Sequence, residues 1–187
     1  SGCTLRRMLW CTALGLLAID GVQAADWPMW RYDAGRTAAS PHELPTVLHQ
    51  QWTLQLPALQ PAWENALNQD LMQFDRAYEP VVAGNSLFIG SSISARMTAL
   101  DTQTGRERWR FYTDGPVRLP AVVEDGRVFF VSDDGYLYCV DAEKGSLLWK
   151  FRSGPTDARI LGNSRLVSMW PARGGPVVAD GVIYFAA

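Results

Sequence analysis

Two short segments of this 187-residue chain have the residue types and spacing to hold a cation or move a proton. The adjacent acids Asp133-Asp134 suit a metal or base pair, and Asp141-x-Glu143-x-Gly145 has the alternating oxygens of a calcium loop. Each also has a plainer reading. Asp134-Gly135 is a hairpin turn with a solvated neighbour. The second segment has a counterpart, Asp101-x-Gln103-x-Gly105, that lacks the second acid, so both are expected to be turns. A third set is ionic: Arg76 and Glu79 precede Pro80, Arg118 precedes Pro120, and Arg173 precedes Pro176. A guanidinium holds a carboxylate or phosphate bidentately. An anionic ligand would therefore find Arg118 and Arg173, with Trp170 as an exposed stacking surface. The competing expectation is that each arginine pairs with an acid of a neighbouring repeat, Glu79 being the internal candidate. His42 and His49 have neither zinc-site spacing nor a cysteine partner. No phosphate loop, dinucleotide fingerprint, nucleophile elbow or zinc-protease motif occurs.

The elements that must position these residues are visible as a repeat. Ala99-Leu100-Asp101-Thr102-Gln103-Thr104-Gly105-Arg106-Glu107-Arg108-Trp109 returns forty residues later as Cys139-Val140-Asp141-Ala142-Glu143-Lys144-Gly145-Ser146-Leu147-Leu148-Trp149. A period near forty with a fixed Asp-x-x-x-Gly-x-x-x-Trp frame marks a blade-repeat protein. The first unit reads as four strands: Pro80-Val81-Val82, then Leu87 to Ile89 after a Gly84-Asn85 turn, then Met97 to Leu100 and Glu107 to Phe111. The second repeats them with turns at Asp125-Gly126 and Asp134-Gly135, and a third opens with Pro176-Val177-Val178 and Asp180-Gly181. No helix of crossover length separates the strands, which excludes a parallel α/β sheet. The expected fold is all-β, a β-propeller of four-stranded antiparallel blades, with Trp109 and Trp149 wedged between neighbours.

Three segments fall outside this frame. Residues 26–57 form a lead in which Trp52 takes the place of Trp109, a repeat tail without its head. Such an orphan strand can complete the last blade and remove an open sheet edge. Residues 58–78 are proline-bounded, with Trp63, Leu67, Leu71 and Phe74 at near-helical spacing, and read as a surface loop or a short amphipathic helix. Arg152 to Gly175 is a longer link between the second and third units.

At the repeated motif the chain resembles the pyrroloquinoline-quinone-type (PQQ-like) propeller repeat family of the quinoprotein alcohol dehydrogenase-like superfamily. Ala99, Asp101, Thr104, Gly105 and Trp109 match the family's tryptophan-docking pattern fully. Asp141, Gly145 and Trp149 match it, while Cys139 and Lys144 depart. Trp27-Pro28-Met29-Trp30-Arg31 is similar to the opening of many exported members. The resemblance covers about residues 26–187. It implies a ring of seven or eight blades, usually eight, of which this chain holds two and the start of a third. It also implies a choice. Some members are periplasmic dehydrogenases using the quinone with calcium, and another is a cofactor-free barrel-assembly scaffold. The dehydrogenases call for adjacent cysteines, calcium-binding carboxylates and a catalytic Asp, and this chain has no adjacent cysteines.

Composition narrows the rest. With 48% apolar and 19% charged residues the chain has ordinary globular composition. The slightly acidic balance excludes a nucleic-acid partner, which needs a basic face. Residues 1–24 read as a secretory signal, with Arg6 and Arg7 before a short apolar core and a Val22-Gln23-Ala24 cleavage site. The apolar run of about twelve residues falls short of the roughly 20 that span a bilayer, so no membrane span is expected after cleavage. Cleavage removes Cys3 and Cys11 and leaves Cys139 as a small buried residue without a disulfide partner. Ser1 and the apolar run at Ala187 read as cuts from a longer chain. The sequence reading puts first an exported, periplasmic or secreted, non-catalytic binding or scaffold protein with a protein or polysaccharide partner and no cofactor. The alternatives are the N-terminal part of a quinoprotein dehydrogenase using PQQ with calcium, and a carbohydrate-binding propeller.

Overall fold

A computed structural model describes residues 26–58, 78–162, 165–172 and 174–187. The signal segment, the helix-or-loop stretch beyond residue 58, and Arg76 and Arg173 lie outside these residues. Two four-stranded antiparallel sheets follow one another. The first holds β1 (Val81–Ala83), β2 (Ser86–Ser91), β3 (Arg96–Asp101) and β4 (Glu107–Tyr112); the second holds β5 (Val122–Glu124), β6 (Arg127–Val131), β7 (Tyr136–Asp141) and β8 (Leu147–Arg152). In each the strands lie in chain order, the meander of a propeller blade. A hairpin of β11 (Val177–Ala179) and β12 (Val182–Tyr184) repeats the opening of a blade. The first strands β1, β5 and β11 approach one another side by side, which defines the axial edge.

Local chemistry accounts for these strands. At Asp125-Gly126 both residues are left-handed, with φ of 48° and 71°, and Asp180-Gly181 repeats this at 53° and 73°. Paired positive φ gives the two-residue turn whose twist matches the flanking strands. The apolar runs are buried on both faces because another layer covers each face. One core joins Val81, Phe88, Met97 and Trp109 of the first blade to Val128, Phe130, Tyr138 and Val140 of the second. Phe130 stacks on Tyr138 at 5.3 Å, and Phe111 meets both rings edge-on.

The tryptophans key each blade to the next. Trp109 sits opposite the small Ala99, beside a register shift between Ala99 and Leu100; Trp149 sits opposite Cys139, beside the same shift. The Trp109 indole Nε1 donates to the Ala142 carbonyl of the second blade at 2.9 Å. Gly145, at φ 68°, makes room for that ring, since a Cβ there would lie 2.5 Å from Trp109 Cδ2. Trp52 does the same one blade earlier: its Nε1 donates to the Thr102 carbonyl at 2.8 Å and its ring lies against Gly105. Residues 48–58 form no strand among the described residues.

Trp149 is 39% exposed against 8% for Trp109, and no Asp-x-x-x-Gly turn among the described residues receives its ring. A departure from the expected elements is an extra hairpin, β9 (Arg159–Gly162) with β10 (Arg165–Ser168), inside the link between the second and third units. Arg165 anchors it to the first blade through the Ser92 and Ile93 carbonyls at 2.9 and 2.7 Å. Ser168 N donates to Asp133 O, and Arg159 reaches Asp114 at 3.5 Å.

Candidate functional site

Of the residues expected before the first strands, Glu79 and Arg118 are described, and the lead segment runs beside Glu79. The lead runs antiparallel to β1 along its axial side. Asp26 Oδ1 accepts from Gly84 N, Trp27 exchanges two backbone bonds with Val82, and the Pro28 carbonyl accepts from Val123 N of β5. Met29 then packs with Val122, Phe129, Cys139 and Val178, bridging the second blade and the third hairpin. Arg36 Nη2 donates to the Gly175 carbonyl just before β11, at 3.3 Å. One extended segment thus touches all three inner strands, because their exposed backbone groups need partners.

Glu79 meets the lead segment. Burial raises its pKa, while the Arg36 charge and a hydrogen bond from Trp30 pull it back. Arg118 is answered by Asp133: Nε donates to Oδ2 at 2.5 Å, with both side chains 11% exposed. This acid comes from the same blade, in the β6–β7 turn. Asp133 is therefore buried and paired, correcting its reading as a solvated turn neighbour. Paired burial of this kind is stable only while both partners stay.

Asp134 does form the turn with Gly135, but it is buried too. Its carboxylate accepts from the Tyr138 hydroxyl at 2.7 Å and from the amides of Tyr136 and Asp114, each at 3.1 Å. Burial pushes its pKa up against these donors, and burial together with the Asp134 charge pushes the Tyr138 phenol up. The network ties the β4–β5 connection to the β6–β7 turn. Trp170 lies beyond it, 44% exposed, with its ring against Gly154. Burial raises the Cys139 thiol, which keeps it a small apolar filler opposite Trp149.

The two calcium-like segments are turns. Asp101 Oδ1 accepts from the amides of Gln103 and Thr104 and from the Thr104 hydroxyl, which lowers its pKa with the hydroxyl first. Asp141 Oδ1 accepts from Glu143 N and Lys144 N in the same way. Among the described residues no three His, Cys, Asp or Glu side chains converge to hold a metal ion. Cys139 is the one described cysteine and is buried in a β-strand. The buried acids Asp133 and Asp134 are engaged by Arg118, Tyr138 and backbone amides.

What the sequence did not reveal is the lead cluster. Arg31 and Arg36 both sit over the Trp30 ring, at 5.6 and 4.6 Å from its centroid.

Stacked four-stranded meanders keyed by a tryptophan against a glycine turn define a PQQ-like β-propeller domain. The profile of the family described as outer membrane protein assembly factor BamB matches residues 49–181, and the chain belongs to that family. Over 110 residues it is 28% identical to the dehydrogenase subunit of a quinone alcohol dehydrogenase of Gluconobacter oxydans (strain 621H). That match covers 53% of this chain and 14% of the relative. A europium-containing methanol dehydrogenase superposes with a TM-score of 0.57 at 19% identity, covering 84% of this chain and 26% of that one. The quinohemoprotein alcohol dehydrogenase of Comamonas testosteroni gives 0.53 at 22% identity, covering 84% and 22%. The chain therefore corresponds to about a quarter of these enzymes or less. The structural likenesses establish the fold they share.

Proposed function

We propose that the chain is a sector of an exported quinoprotein-type dehydrogenase propeller, in which these blades supply wall and frame rather than the reacting centre. The observation that carries this is the 28% identity over 110 residues to a quinone alcohol dehydrogenase subunit. The sequence reading had placed the non-catalytic scaffold first; this likeness moves the dehydrogenase ahead. The described acids support a frame role, because each buried carboxylate already has its donors. On this reading the quinone, and calcium or a lanthanide with it, is held by residues beyond those described, and supplies the two-electron oxidation of an alcohol. The scaffold reading keeps one specific support, the BamB description of the matched family.

The deciding experiment uses the full-length protein, refolded with PQQ and either calcium or a lanthanide, and assayed for dye-linked oxidation of methanol and ethanol. Metal-dependent turnover is the expected result. A folded protein that binds no quinone and turns over no alcohol would return the scaffold to first place. Export is tested separately by N-terminal mass mapping of the secreted form, with Ala25 expected as its first residue.

A further inference from the structure

The first blade has one face packed on the second blade and another that meets the lead. Alternation along β3 divides its side chains between them. Met97 and Ala99 enter the core shared with the second blade, and Arg96, Thr98 and Leu100 take the other face. The register seats Arg96 between Ser91 of β2 and Tyr112 of β4, and sets Thr98 beside Ile89. Residues 54–57 run over this face, tied down by the Tyr78 hydroxyl, which donates to the Pro57 carbonyl at 3.0 Å. A cleft of about 170 Å³ remains between the two.

Its lining is mixed. Leu54, Leu56, Pro57, Ile89 and Leu100 are apolar, while Ser91, Ser94, Arg96 and Thr98 bring polar groups to the same space. Arg96 is the cation among them, and it is half-buried. It donates to the Tyr112 hydroxyl, but its Nε is buried with no hydrogen-bond partner. No described carboxylate pairs with it. Glu107, the one described acid lining the cleft, is held by Arg110 at 2.5 Å, and that pair cancels. Burial raises the Tyr78 phenol and the Arg96 charge draws it back, so the guanidinium acts across the cleft. A buried donor left without an acceptor is costly, more so when it is charged.

We propose that this cleft binds a small aromatic carboxylate, its oxygens on the Arg96 guanidinium and its ring against Leu56, Ile89 and Leu100. The planar fork matches a carboxylate. The space suits one ring, since an apolar cavity of about 150 Å³ holds benzene. An inorganic anion would answer the charge but leave the apolar wall wet. The site stands apart from the quinone reading and needs no quinone.

The test uses the full-length protein without added quinone, with benzoate titrated by calorimetry. Saturable binding is expected. Benzamide has the same shape without the charge, and acetate has the charge without the ring; each should bind at least tenfold more weakly. Arg96→Gln should weaken benzoate at least tenfold. Leu56→Trp, on the lead side of the cleft, fills the space and should weaken it by a similar factor, and it carries the test should Arg96→Gln fail to fold. The proposal is overturned by absent saturable binding, which would leave the cleft to another part of the protein. It is equally overturned by benzamide or acetate binding as tightly as benzoate, or by undiminished binding in either folded variant.

Discussion

The outer strands of the two blades are built alike and end in different surroundings. β4 and β8 share their register, their bulge and a small residue opposite the tryptophan. Trp109 is nonetheless buried and Trp149 is not. The difference lies in the next repeat, where Gly145 and Ala142 receive Trp109. Burial of this side chain is a property of the neighbour interface, and stability should then rise with each repeat added, as in other repeat arrays. The β2–β3 and β6–β7 turns differ in the same spirit. The first is a neutral Ser92-Ile93-Ser94 turn held from outside by Arg165. The second is acidic and held from within by Arg118.

The tryptophan pair offers the largest break in this comparison. Trp109→Ala should destabilise the 187-residue chain by about 3–5 kcal/mol, the usual effect of deleting a buried large aromatic. Trp149→Ala should lose only about 1 kcal/mol, as expected for a partly exposed side chain. Urea unfolding of both variants decides it, and equal losses would show that docking is not what distinguishes the blades. Arg118→Ala comes next, at about 3–4 kcal/mol, because it strands the buried Asp133 charge. Arg165→Ala should lose about 1–2 kcal/mol, since water can replace a charged donor at carbonyls. Thermal denaturation of the two variants tests whether inner and outer clamps differ in this order.

Glycine sharpens the interface further. Gly145→Ala drives a methyl into the Trp109 ring at a left-handed position and should lose about 2–3 kcal/mol. Gly126→Ala has a similar φ of 71° but meets nothing within 4 Å, so about 1 kcal/mol is expected from backbone strain alone. The smallest effect is a pH slope. The Asp134 carboxyl titrates above its unfolded value of about 3.8, so the folded state holds the proton more tightly. Stability from this group is greatest below the unfolded value and declines as pH rises through the folded one. Asp134→Asn should flatten that part of the stability–pH curve, read as Tm from pH 3 upward, while Asp101→Asn should remove a slope of opposite sign.

Much of the fold was legible because its signals are local. Asp-Gly turns require positive φ, and the Asp-x-x-x-Gly-x-x-x-Trp frame places a docking ring at a fixed distance from its turn. The equivalence of Trp52 with Trp109 came from the same frame, and the contacts with Gly105 and Thr102 agree with it. The β9–β10 hairpin was missed although its signal was present: Gly162-Asn163 lies between Ile160-Leu161 and Leu166-Val167, the same turn dipeptide that marked β1–β2. The Arg118–Asp133 pair was not legible as a pair, since fifteen residues and a turn separate them. The cluster of Trp30, Arg31 and Arg36 follows no period at all. It depends on left-handed backbone at residues that ordinarily avoid it.

The reach of the lead has a consequence for assembly. Arg36 and Gly175 meet across 139 positions. The strap lies before the blades in the chain, yet its last contact waits for the third hairpin to be in place. The blades between them can assemble in order meanwhile, each on the one before. A truncation before Gly175 should then leave the strap sensitive to protease while the first blade is already protected.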